Sequence, residues 1–410
     1  MKKLLSFILG VCLIIPCAFL FTGCKDKEPQ MEVWDGTTLE VSAADSNGLI
    51  LIETAEELAG LAKEVNEGNN FAGKTIRLTC DMDMASKTWT PIGVGHRSTT
   101  ATPFSGTFDG NDHKIIGLNS GDYATTVLAD EHKALEGDLK YVAVHTYHYG
   151  LFGYVTGATI KDLEVTVNFN CDLENLKGDS VGGIVGFSNG KLTIEDCVVN
   201  GTIDGGFDAA GGIVGRAYGS TDENIILIDE CVNNAKVTSD YKTAGILGYT
   251  YSDNLHVEID ECVNNGEIYA TGTRIDKTNA ARYTSNVGGI VIYGWKTSKT
   301  NTIVVTECVN KGNLYATAAH APEEENRTEG HHFAYIATRV GNDFDSLHHS
   351  YKFQDNSNIG KMFYLGKENS YVVCALVANN IPVKDVESGE YRYNLDPTTG
   401  DEYNNKTNMS

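Results

Sequence analysis

Short apolar runs, separated by polar and glycine-rich connections, recur along the middle of the chain. A Gly-apolar-apolar-Gly block stands at Gly150-Leu151-Phe152-Gly153, Gly183-Ile184-Val185-Gly186, Gly212-Ile213-Val214-Gly215 and Gly245-Ile246-Leu247-Gly248. A degenerate copy is Gly289-Ile290-Val291-Ile292, and the first glycines lie 33, 29, 33 and 44 residues apart. A second block follows each: Ile160-Lys161-Asp162-Leu163, Ile194-Glu195-Asp196-Cys197, Ile228-Asp229-Glu230-Cys231, Ile259-Asp260-Glu261-Cys262 and Val305-Thr306-Glu307-Cys308. A third short run, such as Gly201-Thr202-Ile203 or Gly266-Glu267-Ile268, closes four of the five. None of these runs has the length or the 3.6-residue period of a helix. Three β-like runs per repeat predict parallel strands stacked ~4.8 Å apart, each repeat covered by its neighbours because it cannot bury its apolar side alone.

Upstream, Thr54-Ala55-Glu56-Glu57 has the form of a capping box. Leu58, Leu61, Ala62 and Val65 then recur at helical spacing, which predicts one amphipathic helix over 55–66. Strand-like segments follow at 71–78, 89–93 and 104–111. Residues 31–118 therefore read as a cap plus the first strands, because an open end of stacked strands needs a cover. After 316 the period stops. The β-like runs at 361–365 and 371–377 predict a C-terminal β cap, with a polar tail from about 395.

The repeat blocks resemble the GLUG motif of bacterial surface proteins, in which Gly-Gly-apolar-apolar-Gly is followed by Ile-x-x-Cys-x-x-x-Gly. The resemblance covers about 150–316 and implies an all-β, right-handed parallel β-helix (solenoid) of the pectin-lyase-like kind. It implies an adhesin-like surface context but no activity. The organisation expected is a leader over 1–23, a tether over 24–30, the cap and first strands over 31–118, the repeats over 119–316, and a C-terminal cap and tail over 317–410.

The start of the chain sets the compartment. Lys2 and Lys3 precede an apolar stretch from Leu4 to Phe21 that Pro16 interrupts, the pattern of a signal peptide and too short for a comfortable span. It ends in Leu20-Phe21-Thr22-Gly23-Cys24, which resembles the lipobox of bacterial lipoproteins. The resemblance implies cleavage before Cys24 and lipid on its thiol. The charged stretch 25–30 is similar to the segment that marks export to the outer face of the outer membrane in Bacteroidetes. The expected location is therefore exported, lipid-anchored and surface-exposed. Net charge strengthens this reading by exclusion. With 32 Lys+Arg against 55 Asp+Glu, the chain carries −23. Nucleic acid and anionic headgroups would repel it, so membrane attachment must be covalent or through a partner.

Four sets of residues are candidates for chemistry. Cys197, Cys231, Cys262 and Cys308 share one repeat position that Leu163 fills in the preceding repeat. A position that accepts Leu or Cys is an apolar core position, so a reduced, packed column is favoured over disulfides. The acids just before it (Asp162, Glu195-Asp196, Asp229-Glu230, Asp260-Glu261 and Glu307) would stack as a stripe, read as a solvated corner ahead of a weak Ca²⁺ site. No other cofactor is implied. Tyr154, Phe187, Tyr249 and Tyr293 follow the glycine blocks, with Trp295 two residues beyond the last. This aromatic column has two open orientations: outward as a ligand platform, or inward as core. His331-His332 and His348-His349 lack metal-ligand spacing, and Phe108-Asp109-Gly110-Asn111-Asp112-His113 reads as a tight corner.

There is no nucleophile elbow, phosphate loop or His-Glu-x-x-His. Acids that recur with the repeat point to architecture, whereas catalysis needs one site that differs from the rest. The function expected is non-catalytic adhesion, through a rigid strand face, to a glycan or to a host or bacterial surface protein. The rivals are a polysaccharide lyase or glycoside hydrolase on the same fold, and a purely structural part of a surface assembly.

Overall fold

A computed structural model describes residues 31–95, 101–121, 148–173, 176–177, 180–205, 208–219, 224–252, 254–271, 285–295, 301–316, 330–340, 349–364 and 371–379. The chain divides into two units, Met1–Gln30 and Met31–Ser410. Cys24, the leader and the tether lie outside the described residues. Every described strand and the helix belong to the second unit.

The protein is mostly β. Among the described residues its strands form two large sheets, of 19 and 12 strands, whose pairings are parallel. A small antiparallel pair, Asp172–Leu173 with Leu176–Lys177, stands apart. Each repeat supplies both sheets. The repeat containing Gly212 places Ala209–Gly211 and Val214–Tyr218 in one sheet and Ile225–Asp229, Val232–Asn233 and Lys236–Ser239 in the other. The glycine block is the bend between the first two of these strands. Its first glycine is required by packing: a Cβ on Gly212 or Gly245 would lie 2.1 or 2.2 Å from the carbonyl oxygen of the glycine one repeat on.

Register places like on like. Ile160, Ile194, Ile228, Ile259 and Val305 form one column. Phe152, Val185, Val214, Leu247 and Val291 form another in the facing sheet. All ten are buried in one continuous core. The period read along the sequence stops at 316, but the strand pairing continues. Gly330–Val340, His349–Gln354, Ser357–Asn358 and Met362–Tyr364 add a further layer in parallel register, and Tyr371–Asn379 pairs with Gly330–Val340. The motif had drifted because Asn356 replaces the cysteine, while Asn358 and Gly360 keep their places.

An asparagine ladder, buried at Asn233, Asn264 and Asn310 and half-buried at Asn358, runs through one bend. Asn233 donates to Oδ1 of Asn264 at 2.8 Å, Asn264 to Asn310 at 2.7 Å, and Asn310 to Asn358 at 2.7 Å. Each also donates to the carbonyl two residues on, at 2.9–3.1 Å. These side chains satisfy a bend whose backbone groups are shut away from water.

The predicted helix, α1, spans Ala55–Asn66 with the capping box of Thr54 and Glu57 formed. Its Leu58, Leu61, Ala62 and Val65 join the core. It follows Leu49–Ile52, which pairs with Thr75–Leu78 and lies at the start of the larger sheet's stack. Gly60 lets the chain cross α1 closely, since a Cβ there would lie 1.7 Å from the carbonyl oxygen of Leu39.

Candidate binding face

The third run of each repeat alternates buried and half-buried positions, as a strand with one face on the core must. Val237, Ile268, Leu314 and Met362 point inward. The residues that follow them, Thr238, Tyr269, Tyr315 and Phe363, stand opposite one another in register on the outer face. Parallel pairing in register stacks their rings. Tyr269 and Tyr315 lie 4.2 Å apart between centroids at 5°, and Tyr315 and Phe363 lie 5.0 Å apart at 13°. Lys236 closes the end of the stack, with Nζ 4.2 Å from the Tyr269 centroid.

The neighbouring outward column holds Lys236, Glu267, Asn313 and Lys361. Glu267 accepts from the hydroxyls of Tyr269 at 3.0 Å and Tyr315 at 3.2 Å, and Asn313 donates to the Tyr315 hydroxyl at 3.3 Å. Partial burial raises the Tyr269 phenol well above its ordinary value, and the hydrogen bond and charge of Glu267 add to the shift. The rings are thus held rigid, with a polar row beside them. Because they stack on each other, they present edges and hydroxyls rather than faces. The repeat carries a signal for this column: Gly266-Glu267-Ile268-Tyr269-Ala270 and Gly312-Asn313-Leu314-Tyr315-Ala316 match position by position, with an aromatic residue fourth in each.

The aromatic column expected from the glycine blocks divides differently, and its Tyr154, Phe187, Tyr249 and Tyr293 are buried. Tyr154, Phe187 and Tyr249 lie in register with Arg216, and Tyr154, Phe187, Arg216 and Tyr249 are all 7% exposed or less. Phe187 stacks on Tyr154 at 5.2 Å and on His148 at 4.3 Å. Tyr293 is fully buried and faces the core, because a register shift after Leu247 sets it opposite Thr250 rather than Tyr249. Ile292 instead packs with Tyr249, Ala209 and Ala244. Trp295 lies in the strand Val291–Trp295, opposite Ser252.

Beside Tyr249, the buried Asp208 binds Arg216 at 2.9 Å and Lys242 at 2.6 Å. The Lys242 ammonium also lies 4.0 Å from the centroids of Tyr241 and Tyr249. Charges this deep persist only when paired, so the cluster ties two neighbouring repeats together.

The acid stripe is two columns. In the first, Arg77, Asp109, Lys161 and Glu195 alternate in sign before Asp229 and Asp260. Arg77 grips Asp109 at 2.9 Å. The second holds Asp162, Asp196, Glu230, Glu261, Glu307 and Asp355, each at positive φ between 48° and 56°. These residues make the left-handed corner between two strands, a position that short polar side chains tolerate best. Where the alternation fails, like charges meet. Burial and the neighbouring Asp260 raise the Asp229 carboxyl, and Asp196 and Glu261 raise that of Glu230. Among the described residues no group of three or more His, Cys, Asp or Glu converges on a metal-sized site.

Cys197, Cys231, Cys262 and Cys308 are buried and unbridged, with Leu163 opposite Cys197. Burial pushes the thiols of Cys197 and Cys262 well above their ordinary value. Low thiolate content makes them poor nucleophiles. No described helix is long and apolar enough to cross a membrane.

No family model matches the chain, and no curated protein is similar to it in sequence. It is similar to a solved structure of a putative immunoglobulin A1 protease from Bacteroides ovatus. The two share 16% identity at a TM-score of 0.48, covering 86% of this chain and 83% of that one.

Proposed function

We propose that the protein is an exported lipoprotein, anchored through Cys24, whose strands wind a right-handed parallel β-helix that binds a partner without catalysis. The Tyr269–Tyr315–Phe363 stack carries this reading. It is a rigid, half-buried aromatic strip on a regular strand face, and such rings supply contact area at small entropic cost. The adjacent row of Lys236, Glu267, Asn313 and Lys361 supplies the polar groups that orient a glycan or protein surface. The recurrence of the acids as corner residues supports an architectural role for them over a catalytic one.

The test is binding of the mature chain to a glycan array and to surface-protein extracts, compared with the variant Tyr269→Ala/Tyr315→Ala/Phe363→Ala. The reading expects ligand capture by the native chain, and its loss in the variant with an unchanged circular dichroism spectrum. Capture that survives the triple change would refute the face. A polysaccharide product ladder abolished by one Asp or Glu substitution would refute the absence of catalysis. Cys24→Ser should abolish lipid labelling, and retained label would refute the anchor.

A further inference from the structure

A second site lies away from that face, between α1 and the segments that carry two tryptophans. A cavity of about 380 Å³ opens there, lined by Trp34, Trp89, Ala59, Ala62, Thr38 and Thr90, with Lys63, Asn66 and Glu67 completing the wall. It exists because α1 presents alanines where the indoles of Trp34 and Trp89 meet edge to face, 6.3 Å apart at 76°. Its size falls in the range of small-molecule pockets.

The hydrogen-bonding inventory of the wall defines what fits. The indole N–H of Trp34 donates to the carbonyl of Thr37 at 2.7 Å, and that of Trp89 to Leu151 at 3.1 Å. Asn66 donates to the carbonyl of Pro91 at 3.0 Å and accepts from the amide of Gly93 at 2.9 Å. Lys63 and Glu67 neutralise each other at 3.0 Å. The wall is therefore apolar or already satisfied, and Thr38 and Thr90 sit at exposed positions on the rim. A polyhydroxylated sugar would bury hydroxyls against walls already committed to other partners, at a desolvation cost. An ion would meet a rim whose charges cancel. An apolar ring seated against this wall, with one polar group at the threonines, would carry no such cost.

We propose that this cavity binds a small planar aromatic molecule bearing a single hydrogen-bonding group. The proposal is independent of the Tyr269–Tyr315–Phe363 face. The test titrates indole into the full chain and follows the side-chain N–H resonances of its 3 tryptophans. Trp34 and Trp89 should shift saturably, with half-saturation below about 1 mM, while Trp295 stays in place. Ala62→Leu and Ala59→Leu, which fill the cavity from α1, should each weaken binding about tenfold or more with the helical signal retained. Glucose at equal concentration should move neither resonance. Absence of saturable shifts in the native chain would overturn the proposal, as would equal shifts with glucose or unchanged affinity in both variants.

Discussion

Truncating the middle of the asparagine ladder, Asn264→Ala, should be among the most damaging single changes to the fold. Asn264 is fully buried. Its amide donates to the Gly266 carbonyl at 3.0 Å and to Asn310 at 2.7 Å, and its oxygen accepts from Asn233 at 2.8 Å. Alanine removes all three bonds and leaves the Gly266 and Asn310 oxygens without these donors in a dry interior. Each orphaned buried group costs about 1–3 kcal/mol, so the expected loss is about 3–5 kcal/mol once the lost packing is added. Urea unfolding followed by circular dichroism reads this directly. Hydrogen exchange at Val263–Asn264 shows whether the opening is local, since stacked repeats need not unfold together. The double change Asn264→Ala/Asn310→Ala supplies a sharper check. The shared bond is lost only once, so the double variant should be less destabilised than the sum, by about 1 kcal/mol. A single-variant loss under about 1 kcal/mol, or strict additivity of the pair, would refute the ladder as a coupled network.

Two further predictions concern the columns beside it. The thiols of Cys197, Cys231, Cys262 and Cys308 should resist alkylation in the native chain and react on unfolding. Cys231→Asp should cost several kcal/mol, about 3 or more, by burying an unpaired charge, and a disulfide-type mass change among the four would contradict the packed column. Glu230→Gln should stabilise the protein at neutral pH. The folded-state carboxyls of Glu230 and Asp229 lie above their ordinary values of 4.5 and 3.8. Their stabilising contribution is therefore present below those values and lost as pH rises through the raised ones. As pH rises through that interval the native chain should become less stable than Glu230→Gln, the two being closer at low pH. Equal melting temperatures of the two at pH 7 and at pH 4 would rule out the repulsion.

The helix and the repeat were legible in the sequence because both are local. Thr54 and Glu57 reach each other within one turn, so the capping box that four residues spell out is the one that forms. Gly-apolar-apolar-Gly and the Cys position repeat because each copy meets an almost identical copy above and below, and stacking imposes like on like. Burial of Cys197, Cys231, Cys262 and Cys308 followed from Leu163 sharing their position.

Which face a ring takes was decided only by tertiary structure. One residue of slip between Leu247 and Thr250 turns Tyr293 into the main core while Tyr249 packs in a separate buried cluster with Ile292, because side chains in a strand alternate. Tyr269 and Tyr315 become a stack only because strands 46 residues apart in sequence lie in register. The pairing of the buried Asp208 with Lys242, 34 residues further along the chain, likewise depends on a neighbouring repeat. Spacing along the chain specifies what repeats; the register between repeats determines what each repeated side chain touches.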